Sequence, residues 1–265
     1  MGGGKGKEMG GNMSGFIRKG DTFFENMREK RINGRNTWDN ARFVLADIPL
    51  NGNDVKKILP LGMWTGPEPM ATLFICHYPE VSYPIVPYHE AAMLVHVRTP
   101  MGKGLHCCWM IVDDDTALIL GREMLGYPKK MGIFEFEENG KEIRSAVSRR
   151  GTRVLEIRAR RGETQDPAPS VFNHKTFNTG AMGQLLAINP IWMFRPREVI
   201  HESYHADIQL TLNDSVFDPL ARLAAGEASN GRIVVMDIPG DSPYMLPVGI
   251  SGPVLFNRTF NMRFR

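Results

Sequence analysis

Apolar and polar residues alternate along this chain over short spans, and helical spacing is the exception. Thr37–Leu50 alternates around Phe43, Leu45 and Ile48 and predicts a strand. Thr72–Asp113 is rich in strand formers. Within it, Glu90–Thr99 and Gly104–Val112 form two apolar runs joined by Pro100-Met101-Gly102-Lys103, a hairpin-like connection. Ile133–Glu137, Ile143–Arg149 and Arg153–Arg160 predict three short strands with turns at Asn139-Gly140 and Arg150-Gly151. Asn-Gly favours the left-handed backbone that a two-residue hairpin turn requires. Glu198–Leu212 alternates well in its second half and predicts a long strand, and Arg232–Ile238 predicts another.

Helical signals are few. Asp21–Lys30 is weakly helical, and Asp54 is placed to cap a short helix that runs to Ile58 and stops at Pro60. Asp115 is read as the cap of a helix over Thr116–Leu125, and Asp218–Ala225 is read as helical. Arg161–Asn178 is polar, carries Pro167 and Pro169, and is expected to be a long surface loop. Met182–Phe194 is apolar and ambiguous, and the tail from Pro239 is expected to be irregular. Residues 1–20 are glycine-rich and are read as a flexible leader. With no internal repeat and no linker, residues 21–265 are expected to form one domain of the α+β class, rich in β-structure, with a few helices.

An apolar fraction of 42% allows a sizeable core. No apolar run approaches the ~18 residues that span a bilayer. The N-terminus lacks a signal-peptide h-region, and Gly6 stands where a myristoylation site wants Ser or Thr. The expectation is a cytoplasmic protein with no membrane partner. Three cysteines without framework spacing agree with a reducing compartment. Cys107 and Cys108 should point to opposite faces of a strand. A net charge of +3 is too weak to suggest a nucleic-acid partner. The basic residues of Arg144–Arg161 interleave with Val147, Val154, Leu155 and Ile157, as on the wet face of a sheet or at a subunit interface.

Two motifs are set aside on geometry. His201-Glu202-Ser203-Tyr204-His205 matches H-E-x-x-H, but it opens an alternating segment. In a strand, four residues span about 13 Å, too far for both imidazoles to chelate one zinc ion. Asp113-Asp114-Asp115 lacks Ca²⁺-loop spacing and sits where carboxylates complement a helix dipole. No metal site is expected.

The segment that carries chemistry is Gly121-Arg122-Glu123-Met124-Leu125-Gly126-Tyr127-Pro128-Lys129-Lys130-Met131-Gly132. A lysine is a nucleophile only when neutral, and its unperturbed pKa is about 10.4. Apolar surroundings and a second cation both disfavour the ammonium. Tyr127, Pro128 and Met131 could supply the first effect, and Lys130 the second. A pair of solvated surface lysines is the competing reading of the same residues.

Gly121-Arg122-Glu123 followed by Tyr127-Pro128-Lys129-Lys130-Met131-Gly132 resembles the signature of the acetoacetate decarboxylase family. Tyr88-His89-Glu90, Ile200-His201-Glu202-Ser203-Tyr204 and Asp218-Pro219-Leu220 resemble further family segments, so the resemblance covers about residues 38–240. It implies an antiparallel sheet curled into a cone-like barrel with a few peripheral helices. It also implies that Lys129 forms a Schiff base with a keto substrate. In that family, a neighbouring cation is the known means of activating the lysine. By the same resemblance Glu90 is an active-site acid or orienting group. Tyr127 and Met110 line the substrate pocket, Arg42 is the nearest candidate for an arginine that binds substrate, and Lys130 tunes the pKa. Arg122 and Glu123 are read as holding the helix end by ion pairing. The family has another glutamate on the strand before the Glu90 segment. Here Thr72–His77 carries no acid, and Glu80 follows Pro79.

The activity so implied is decarboxylation of a β-keto acid, with a small keto acid as partner and no metal or organic cofactor. One alternative is an aldolase, dehydratase or hydratase acting on an α-keto acid through the same lysine. Another is a keto-acid binding protein without turnover. The resemblance also implies a homo-oligomer of many subunits.

Overall fold

The computed structural model describes residues 37–82, 84–173, 175–180, 188–240, 244–253 and 258–264. The leader at 1–20, the weak helical signal at Asp21–Lys30 and much of Met182–Phe194 lie outside the described residues. Among the described residues fourteen strands form one sheet. They are β1 (Thr37–Pro49), β2 (Met70–Tyr78), β3 (Glu80–Val81), β4 (Tyr88–Thr99), β5 (Gly102–Val112), β6 (Lys129–Met131) and β7 (Ile133–Asn139), followed by β8 (Glu142–Arg149), β9 (Thr152–Thr164), β10 (Thr176–Thr179), β11 (Asn189–Arg195), β12 (Val199–Leu212), β13 (Ser229–Pro239) and β14 (Tyr244–Ser251). Among the described residues three helices accompany them: α1 (Gly52–Ile58), α2 (Asp115–Leu125) and α3 (Phe260–Phe264).

The strand order is β14-β11-β10-β5-β4-β2-β1-β13-β12-β9-β8-β7, with β3 on β1 and β6 on β5. The β-rich class holds, and two details of the expected barrel are corrected. The sheet is mixed, because β6 and β10 both run parallel to β5. Between β5 and β6 the chain crosses over through α2, and a crossover returns it in the same direction. The sheet is also open, since β14 and β7 end the order without pairing to each other among the described residues.

The central strands are buried on both faces, which is why they read as continuous apolar runs. Neighbouring residues go to opposite cores. Val44, Ile75, Met93, Trp109 and Ile111 join Val147, Leu155 and Ile157 of β8 and β9 in one cluster. Phe43, Phe74, Cys76, Ala92, Met110, Tyr127 and Phe172 form the other. Cys107 and Cys108 divide between the two in the same way, and all three cysteines are free and buried.

Several boundaries moved, each for a local reason. Asn51, not Asp54, caps α1, its side chain accepting from the backbone N–H of Asn53 and Asp54. Asp114, not Asp115, caps α2, accepting from Ala117 N at 2.6 Å. The expected loop 161–178 is shorter than its composition suggests, because β9 runs on to Thr164 and β10 takes Thr176–Thr179. Its middle runs along the surface as expected, but Val171 and Phe172 turn inward. The Glu198 carboxylate accepts from Ser170 Oγ, Val171 N and Phe172 N. Phe172 then enters a ring cluster edge-on to Phe43 at 5.9 Å and to Phe74 at 6.3 Å. Residues 218–225 form turns rather than a helix, tied down by the bridges Asp214–Pro219 and Leu50–Ala224. The tail supplies β14, whose Pro247 is tolerated because β14 is an edge strand.

Candidate active site

Three strands bring the site together. On β4, Tyr88, Glu90, Ala92 and Leu94 alternate onto the second core, while His89 faces the other way and pairs with Asp113, its Nδ1 2.8 Å from Oδ2. β5 presents Met110 and Val112 to the same core. β6 lies parallel to β5 with Lys129 opposite Met110. The result is a contact no spacing in the sequence shows: Lys129 Nζ lies 2.7 Å from Glu90 Oε2. Both side chains are buried, at 7% and 6% exposure, so the pair is shielded from bulk water yet not sealed from it. The amine also sits 5.6 Å from the centroid of the Tyr88 ring, within range of a cation–π contact.

Among the described residues, Cys76, Tyr78, Tyr88, Cys107 and Tyr127 give the core around the pair a neutral character. Cys76 stands directly across from Glu90 in the β2–β4 ladder. Burial, and after it the charge of Glu90, pushes the Cys76 thiol and the Tyr78 and Tyr88 phenols well up. Burial likewise raises Cys107 and Tyr127, with Glu90 a lesser cause for each. These groups therefore stay protonated and neutral. Tyr127 is buried with its hydroxyl 3.1 Å from Thr176 Oγ1, and Met110 is buried in the same core. Both stand on the face that carries Lys129.

Lys130 goes to the opposite face. Its Nζ lies 2.6 Å from Asp218 Oδ1, which also accepts from Trp109 Nε1 at 2.9 Å; Arg149 Nη1 reaches Asp218 Oδ2 at 2.9 Å. Burial lowers the Lys130 pKa, and Asp218 works against that. Nothing local in the sequence marks Asp218 as a partner of Lys130; only the folded chain shows what its carboxylate holds. Arg122 acts at the helix end through hydrogen bonds to backbone carbonyls rather than through the expected ion pair. Its Nη1 donates to the Lys129 carbonyl at 2.9 Å and so fixes β6.

The structure does not bring Arg42 to the site. It neighbours Phe43, whose ring lies in the Glu90 core, so strand alternation turns Arg42 to the other face. There it pairs with Glu138. Glu80 is also elsewhere, accepting from Asn40 Nδ2 at 3.1 Å. The H-E-x-x-H segment lies in strand β12, where His201 Nε2 pairs with Asp237 Oδ2 at 2.8 Å.

The buried lysine touches a carboxylate among neutral side chains, and it belongs to the 121–132 segment. The acetoacetate decarboxylase family matches residues 25–245. The chain belongs to that family. Among curated proteins it is 27% identical over 92 residues to "Decarboxylase DEC1" of Cochliobolus heterostrophus (strain C4 / ATCC 48331 / race T). That match spans 34% of this chain and 35% of the relative, so the chain covers about a third of that protein's length.

Solved structures extend the likeness of fold. An acetoacetate decarboxylase matches with a TM-score of 0.73 at 17% identity, over 81% of this chain and 89% of the other. Acetoacetate decarboxylase from Legionella pneumophila subsp. pneumophila str. Philadelphia 1 gives 0.70 at 16%, over 83% and 88%. The enduracididine biosynthesis enzyme MppR, complexed with pyruvate, gives 0.65 at 16%, over 78% and 88%.

Proposed function

We propose that this member of the acetoacetate decarboxylase family is a Schiff-base-forming lyase that decarboxylates a β-keto acid through Lys129. The observation that carries the reading is the buried contact of Lys129 Nζ with Glu90 Oε2 at 2.7 Å. At that distance the carboxylate can accept the ammonium proton and free the amine to attack. Cys76, Tyr78 and Tyr88 beside the pair stay neutral.

The steps follow from that geometry. The amine adds to the keto carbon and water leaves, giving a protonated imine. The bond between the α-carbon and the carboxylate breaks, CO₂ departs, and the released pair forms a C=C bond while the C=N⁺ π pair moves onto nitrogen, giving an enamine. A proton is delivered to the α-carbon, and water hydrolyses the imine to return ketone and free lysine. The imine is the electron sink, so the scheme uses no separate cofactor. Glu90 beside the substrate carboxylate repels it in the ground state, and that repulsion is relieved as CO₂ leaves.

A second reading has its own support. MppR has been solved with pyruvate and with the condensation product of pyruvate and imidazole 4-carboxaldehyde. A pyruvate-type imine at Lys129, with Glu90 moving the proton, would serve an aldolase or dehydratase.

Borohydride trapping over a panel of β-keto and α-keto acids, read by peptide mass spectrometry and paired with CO₂ release, tests both. The expected result is a substrate-dependent adduct on Lys129 with CO₂ evolved from a β-keto acid. Trapping without CO₂ would favour the second reading. Trapping without any turnover would favour a binding protein. An adduct on Lys130, or none with a substrate that is turned over, would sink the Lys129 assignment.

A further inference from the structure

The helix that packs over the lysine carries a glycine where a helix is weakened by one. Gly121 lies inside α2, not at its end. A glycine in a helix interior gives up backbone entropy and helix propensity relative to alanine. The helix buries only Ala117 and Gly121, which stand four residues apart and so share one face. That face looks onto the Lys129 side chain. A Cβ built on Gly121 would lie 2.6 Å from Lys129 Cδ and 3.0 Å from Nζ, and still nearer to Cε. Carbon atoms in folded proteins do not approach so closely.

From this contact we propose that Gly121 is a positioning residue for Lys129, an inference that rests on the Lys129 Schiff-base reading. The missing side chain leaves a trough across α2 in which the lysine stem lies. Lys129 is then bounded by the helix backbone, by the Tyr88 ring at 5.6 Å and by Glu90 at 2.7 Å. The clash that alanine would introduce falls on the far end of a flexible side chain. The fold can therefore absorb it by moving the lysine, and the lysine can move only by leaving Glu90. Displacement of a reacting group by about 1 Å is enough to lower a rate roughly 10²-fold. The same substitution removes a helix-weakening glycine, so stability and activity should respond in opposite senses. A purely structural glycine would lower both together.

The test is Gly121→Ala in the full chain, with Ile119→Ala on the exposed side of the same helix as control. Melting temperature, kcat and the rate of borohydride trapping at Lys129 are measured for each. The expected result is a melting temperature that is unchanged or raised, with kcat and trapping rate both lowered about 10²-fold, and an Ile119→Ala control close to wild type. If Gly121→Ala is instead unstable, the comparison moves to a Lys129→Ala background. There the lysine stem is gone, so adding Gly121→Ala should no longer destabilise. Wild-type trapping and kcat in Gly121→Ala would overturn the proposal. So would instability that persists without the lysine side chain. Absence of any Lys129 adduct in the wild-type protein would instead fell the underlying Schiff-base reading.

Discussion

Asp218→Asn is the sharpest test of how the second lysine is handled. The carboxylate is fully buried, and Lys130 and Arg149 reach it with side chains only 6% and 9% exposed. Asparagine keeps the shape and can still accept from Trp109 Nε1, which lies 2.9 Å from Oδ1. It removes the negative charge between two buried cations. Breaking a buried ion pair from one side costs about 3–5 kcal/mol. At about 2–4 °C per kcal/mol for a domain of this size, the melting temperature should fall by about 6–20 °C. Lys130→Met should cost less, about 1.5–3 kcal/mol for a lost hydrogen bond to a charged group, because Asp218 keeps Arg149 and Trp109.

The pH dependence has a definite sign. Burial alone would raise the Asp218 carboxyl, but Lys130, with Trp109 and Arg149, outweighs it and holds the group below its ordinary value. The folded value therefore lies below the unfolded one of about 3.9. The stability this group contributes is present above pH ~3.9 and is lost as pH falls through the folded value. Denaturant midpoints measured below about pH 4 should fall in the wild type and be flatter in Asp218→Asn. A loss below about 1 kcal/mol at neutral pH would refute the reasoning, because a desolvated pair cannot lose its charge so cheaply.

Glu90→Gln should lower kcat by roughly 10²–10⁴; a pH–rate profile that keeps both limbs would assign Glu90 a charge or orienting role, and near wild-type turnover would remove it from the site. Arg42→Ala should leave kcat/KM within a few-fold of wild type, since Arg42 pairs with Glu138 on the far face; a large rise in KM would return it to the substrate. His106 is pushed down to about 4 by burial, although its Nδ1 lies 2.8 Å from the Phe177 carbonyl oxygen. Because the folded value lies below the unfolded value of about 6.5, stability should decline as pH falls from about 6.5 towards 4, and His106→Asn should abolish that part of the slope. The many-subunit assembly suggested by the family resemblance predicts fast sedimentation at micromolar protein, and a monomer there would count against it.

The sequence by itself determined the β-rich class and most strand positions, because alternation and doubly buried apolar runs are local patterns. It also determined that Cys107 and Cys108 must diverge, since neighbours in a strand point to opposite faces. The 121–132 segment marked Lys129, and the Tyr88-His89-Glu90 segment marked Glu90. Only the tertiary structure decided that their side chains meet, because β4 and β6 are joined through β5 and the α2 crossover. It also decided that Arg42 is absent from the site. That question turns on the facing of β1, and resemblance at a loosely matched position does not carry strand parity. Asp218 was legible as a residue and illegible as a partner, since its three donors come from β5, β6 and β8, which are distant in the chain. The same holds for residues 218–225, where helical composition yielded to bridges and to a buried carboxylate. Local propensity is worth tenths of a kcal/mol per residue, and a buried charge satisfied from three strands outweighs it.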